Sequence, residues 1–133
     1  MKGSFSFIVR GDNLDFDGIS TKLHLLPTST IKKGQPVRIG GSSIALYDLW
    51  KLELELSEES EPEDVLRQLL QQLTPNAKTI NEMIDEYDEV SINCFMRSDY
   101  GQMGFALSNE MLTKLAVLGV GMDFHILSFG MVE

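Results

Sequence analysis

The stretch Trp50-Lys51-Leu52-Glu53-Leu54-Glu55-Leu56 alternates large apolar with charged side chains without a break. Successive side chains of a strand point to opposite faces, so a period of two predicts a strand with one buried and one charged face. An acidic connector, Ser57 to Glu61, follows. Val65, Leu66, Leu69, Leu70 and Leu73 then recur at the spacing of one helix face. Ser60 and Glu63 have the spacing of a capping box, and Pro62 suits a first helical position. Beyond Pro75 a further helical piece carries Ile80, Met83, Ile84 and Tyr87.

Downstream, Val90, Ile92, Cys94 and Met96 alternate again and predict a third strand. Ser98 to Gly101 reads as a turn, and Met103, Phe105 and Leu107 as a fourth strand in a hairpin with the third. Ser108 is placed to cap a helix with Met111, Leu112, Leu115 and Ala116 inward, and Gly119 to end it. Met122 to Phe129 is the last strand. From residue 49 the order is therefore strand, helix, strand, strand, helix, strand, the split βαβ arrangement of ferredoxin-like folds.

Upstream, Phe5, Phe7 and Val9 predict a half-buried strand. Asp15 or Asp17 is an N-cap for a short helix with Ile19, Leu23 and Leu26 inward, stopped by Pro27. Residues 28–46, rich in Gly, Ser and Pro, read as a long loop with a minor strand at Pro36 to Ile39. The expectation is one α+β domain over residues 1–133. It has a single sheet of about five strands with helices mainly on one face, and a strand–helix unit precedes the split βαβ part.

The opening strand with Leu14-Asp15-Phe16-Asp17-Gly18-Ile19-Ser20-Thr21-Lys22-Leu23-His24-Leu25-Leu26-Pro27-Thr28 resembles a bacterial family of small domains of unknown function, number four-two-seven-nine. Trp50 at the start of the next strand is similar to the family pattern. So is Leu107-Ser108-Asn109-Glu110 leading through Leu115-Ala116 and Leu118-Gly119 into Met122-Asp123-Phe124-His125-Ile126. His24 stands where the family often has Gly. The resemblance implies a stand-alone bacterial domain of this α+β type and brings no catalytic residues with it.

Net charge is −9, unevenly spread: residues 1–51 carry seven Lys/Arg against four Asp/Glu, and residues 52–133 four against sixteen. Such acidity repels nucleic acid and anionic membranes and attracts a cationic partner, so a basic protein is the partner class expected. Cys94, the single cysteine, allows no internal disulfide and fits a reducing, cytoplasmic compartment. The apolar run Phe5 to Val9 is too short for a signal peptide, and no stretch is apolar enough to span a membrane.

The chemistry-bearing residues are sparse. Cys94 sits on the apolar side of its strand, where a thiol lacks the positive surroundings that make a thiolate. His24 and His125 belong to no metal-spaced cluster. Asp123 and His125 share one strand face, where a carboxylate can orient an imidazole. Asn13, Asp15, Asp17 and Gly18 match the front of a calcium loop, but its twelfth position is His24 rather than an acidic ligand. Lys32, Lys33 and Arg38 flank glycines in the long loop and could meet an anion or a partner, without Walker spacing. Trp50 reads as core or as a pocket wall.

Neither a nucleophile–base pair nor a metal or cofactor set emerges. The expectation is a non-enzymatic binding module with candidate contacts at Lys32, Lys33, Arg38, Trp50, Asp123 and His125. The alternatives are a small-molecule sensor and a small enzyme using Asp123 with His125, or Cys94. Phe95, Leu127 and Phe129 fall on the strand face opposite the main apolar rows, which predicts either a second covered face or a homodimer contact.

Overall fold

The computed structural model describes residues 2–37, 43–101 and 103–131, and their side chains except at residues 100 and 129–131. Strand β1 (Lys2–Gly11) leads into helix α1 (Phe16–Leu23), then β2 (Ser29–Ile31) and β3 (Asp48–Leu56). Helix α2 (Pro62–Leu73) passes through a 3₁₀ turn (Thr74–Asn76) into α3 (Ala77–Glu86). Strand β4 (Glu89–Tyr100), helix α4 (Asn109–Leu118) and strand β5 (Gly121–Met131) follow. The described strands form one five-stranded sheet in the order β2-β3-β1-β4-β5. The chain is an α+β protein, as the alternation in residues 50–56 and the leucine stripe of residues 65–73 predict.

Strands β3 and β4 both run antiparallel to β1 and are therefore parallel to each other, with β1 between them. A split βαβ unit thus exists, but the strand in its gap is β1 and not residues 103–107. The predicted hairpin does not form. Residues 98–100 continue β4 instead of turning, and residues 103–108 make no strand. Their apolar side chains are satisfied by packing alone: Phe105 meets Phe5 edge-on at 6.2 Å and Phe124 at 6.3 Å between ring centres. Strand β5 pairs with β4 in parallel, across the α4 crossover.

Burial decides the two sheet faces. Phe5, Phe7 and Val9 of β1, Trp50, Leu52 and Leu56 of β3, and Ile92, Cys94 and Met96 of β4 share one face. They enter a single core with Ile19 and Leu23 of α1, the α2 leucines, Ile80 and Met83 of α3, and Met111, Leu115 and Leu118 of α4. Every described α-helix therefore packs on the same side. Phe95 and Leu127, on the other face, are 40% and 50% exposed, so among the described residues no second layer covers them. The side chain of Phe129 lies outside the described residues.

Local chemistry sets the helix ends. The Asp15 carboxylate caps α1 by accepting from the Gly18 amide at 3.0 Å. A side chain at Gly18 would strike that carboxylate, which accounts for the Asp15-Phe16-Asp17-Gly18 pattern. His24 closes the helix in the left-handed region (φ 55°), a conformation in which glycine is unstrained. Ser108 caps α4, accepting from Met111, and Gly119 ends it at φ 72°.

The expected capping box on α2 is absent. Glu61 occupies the cap position, Pro62 opens the helix, and Ser60 instead bonds Ser57. Glu63 accepts from the amide of Ser108, tying α2 to the start of α4. The long loop also holds more than predicted. Ser29–Ile31 forms β2, and Pro36 bridges to Ile44. The remainder of the predicted strand at Pro36 to Ile39 lies mostly outside the described residues.

Candidate functional site

The uncovered side of the sheet is built from the residues that alternate with the core. Strand register places them in rows. Lys51, Ile8, Ser91 and Gly121 form one row across β3, β1, β4 and β5. Glu53, Ser6, Asn93 and Asp123 form the next, and Glu55, Ser4, Phe95 and His125 the third. Leu49, Arg10 and Glu89 close the other end. Together with Tyr47 most of these side chains line an open cleft of about 670 Å3.

Charges on this face are largely paired within the molecule. Ser6 Oγ donates to Glu53 at 3.1 Å, and Lys51 Nζ lies 3.2 Å from the same carboxylate. Arg10 lies 3.5 Å from Glu89 and donates to the Tyr47 hydroxyl at 3.2 Å, with its guanidinium carbon 4.4 Å from the tyrosine ring centre. Both cations of the cleft are thus occupied, while Asp123 has no ion-pair partner among the described residues. Within the cleft three carboxylates, Glu53, Glu89 and Asp123, stand against these two cations, while Lys2 and Arg97 share the same face beyond it. Glu53 and Asp123 stand on strands three spacings apart, about 14 Å, wider than the roughly 5–10 Å that paired-carboxylate hydrolysis uses.

The sequence candidates scatter. Asp123 and His125 reach the cleft together. Trp50 does not: it is fully buried, donates its indole N–H to Ser20 at 3.1 Å, and meets Phe7 edge-on. Cys94 is buried in the core, and burial pushes its thiol up to about 11. The thiol and the His125 imidazole project from opposite faces of the sheet, so they cannot act as a pair. Arg38 lies outside the described residues.

Lys32 and Lys33 belong to a different arrangement, around Asp48, which the sequence reading missed. The Asp48 carboxylate is nearly fully buried. It accepts from the amides of Lys33 at 2.7 Å and Leu14 at 3.0 Å, with Lys32 Nζ at 3.7 Å. The Lys33 amide first, then the Leu14 amide and the Lys32 ammonium, hold its carboxyl below the usual carboxylate range, against the opposing effect of burial. This clamp ties the loops after β1 and β2 to the start of β3. One signal was available: Asp48 shares strand parity with Trp50 and Leu52, and a carboxylate on a core row needs donors.

Among the described residues, no group of three or more His, Cys, Asp or Glu could hold a metal ion. None of their helices is long and apolar enough to cross a membrane. Neither a curated protein nor a solved structure matches the chain. The model of a domain of unknown function, DUF4279, matches residues 1–129. With nearly the whole chain matched, and with the capped α1 and the Trp50 strand in place, this protein belongs to the DUF4279 family.

Proposed function

We propose that the chain is a non-enzymatic binding module that receives a cationic segment of a protein partner on the open face of its sheet, neutralising or regulating that partner. The observation that carries this reading is the bare face itself. It is a polar sheet surface whose cleft sets Glu53, Glu89 and Asp123 against two cations, Arg10 and Lys51, that are already paired, on a chain of net charge −9. Such a surface steers basic partners and discriminates by charge more than it adds affinity. Phe95, half-exposed in the row with Ser4 and His125, offers an apolar anchor for the partner's side chains.

The test is affinity capture from the source organism at graded salt, with three baits. The wild type should retain one or a few strongly basic proteins. Asn93→Arg, which sets a cation in the cleft, should lose them. Glu82→Lys on the exposed side of α3 should keep them. Equal losses with both variants would mean diffuse acidity rather than a site, and no specific retention by the wild type would remove the proposal.

A second reading, a small-molecule sensor, is supported by the cleft volume, which lies within the roughly 300–1,000 Å3 of ligand sites. A thermal-shift screen against metabolites separates the two. Stabilisation by a compound, lost in Asn93→Arg, would favour the sensor.

A further inference from the structure

We propose that β5 is a self-pairing edge: two copies of the chain join antiparallel along β5, about a two-fold axis at Phe124, into one ten-stranded sheet. Strand β5 is an outer strand, and over Gly121–Leu127 its far side meets no other strand among the described residues. Its backbone donors and acceptors on that side are a template for another strand. Edge strands of monomers are usually short, or carry lysine, proline or several charges. The opposite edge, β2, is three residues long. Strand β5 is eleven residues long, and from Gly121 to Ser128 its only ionisable residues are Asp123 and His125.

The identity of the occupant follows from the order of residues about Phe124. A two-fold axis there sets each residue against its mirror position. Asp123 then faces the second copy's His125, and His125 the second copy's Asp123, on the open face. Directly opposed side chains of an antiparallel pair have Cβ atoms about 5 Å apart, within reach of a charge-assisted hydrogen bond. On the helix side, Phe124 meets its own counterpart and Met122 meets Ile126. Phe124 and Ile126 are 48% and 54% exposed in the single chain and border an apolar groove of about 250 Å3 with Phe105. One register therefore pairs opposite polar groups on one face and apolar groups on the other. The inference does not depend on the identity of any cationic partner.

Sedimentation equilibrium of the purified chain at micromolar to millimolar concentration tests it. The wild type should move from 14.9 kDa to twice that mass as concentration rises. Asp123→Lys should weaken association at least tenfold, and Asp123→Lys with His125→Asp should restore it by exchanging the two charges. Ile126→Lys, at a half-exposed position, should give a folded monomer, checked by circular dichroism. A wild type that stays at 14.9 kDa throughout overturns the proposal. So does a dimer indifferent to both the Asp123 and the Ile126 changes, since it would form elsewhere.

Discussion

The two faces of this sheet are made by the same strands and differ in almost everything else. On the helix side, Phe7, Trp50, Ile92 and Cys94 are wholly excluded from solvent. On the other side the same four-strand rows carry Ser4, Ser6, Asn93, Glu53 and Asp123, and among the described residues no helix packs on them, although Ser6, Ile8 and Ser91 are shielded by their strand neighbours. The first face holds the molecule together, because burying large apolar side chains is the main favourable term in folding. The second is left largely free of that duty. The difference also predicts how unequally the two faces respond to substitution.

The largest contrast is expected at neighbouring residues of β3. Trp50→Ala removes a buried indole, its bond to Ser20 and its contact with Phe7. It should cost about 3–5 kcal/mol in urea unfolding, a large share of a typical domain's stability. Lys51→Ala, one residue on and on the open face, should stay within about 0.5 kcal/mol. Comparable costs for the two would mean that the open face is also packed against something.

A smaller effect belongs to the Asp48 clamp at the rim between the faces. Asp48→Ala orphans the Leu14 and Lys33 amides and should cost about 2–4 kcal/mol. Because the folded-state pKa of this group lies below its unfolded value near 3.8, its stabilisation is present above that value. It is lost as pH falls through the folded pKa. Unfolding curves between pH 7 and pH 3 should therefore fall more steeply for the wild type than for Asp48→Ala.

The smallest effect has the opposite sign. His24→Gly relieves the left-handed helix end and should stabilise by about 0.5–1 kcal/mol, read as a rise in Tm. A fall would mean that the imidazole makes a contact worth more than the strain.

These same residues show what a single sequence exposes. The alternation of residues 50–56 and the leucines of α2 were legible because each obeys one period over its whole length. The caps at Asp15 and Ser108 and the stop at Gly119 were legible because capping is local chemistry. The hairpin was misread because Met103, Phe105 and Leu107 also alternate. Whether an alternating segment finds a ladder partner depends on which strand fills the gap, and here a strand from the other end of the chain, β1, takes it.

The open cleft was legible only in part. Asp123 and His125 were placed on a common face by parity. Their row-mates Glu53, Ser6 and Asn93 come from three other strands and meet only through register. Lys32 and Lys33 suggested an anion site. The carboxylate they meet within the chain is the buried one of Asp48, which takes the Lys33 amide and lies 3.7 Å from the Lys32 ammonium.

The inequality of the two faces is most directly measured by thiol labelling in native buffer. Cys94 lies on the helix side, and Glu55 sits exposed on the open face. With Ellman's reagent at pH 8, the wild type should release no chromophore until denaturant unfolds it. Glu55→Cys should release one equivalent within seconds. Rapid stoichiometric labelling of wild-type Cys94 in the folded protein would contradict the account, because the thiol would then stand open to solvent on the side assigned to the core.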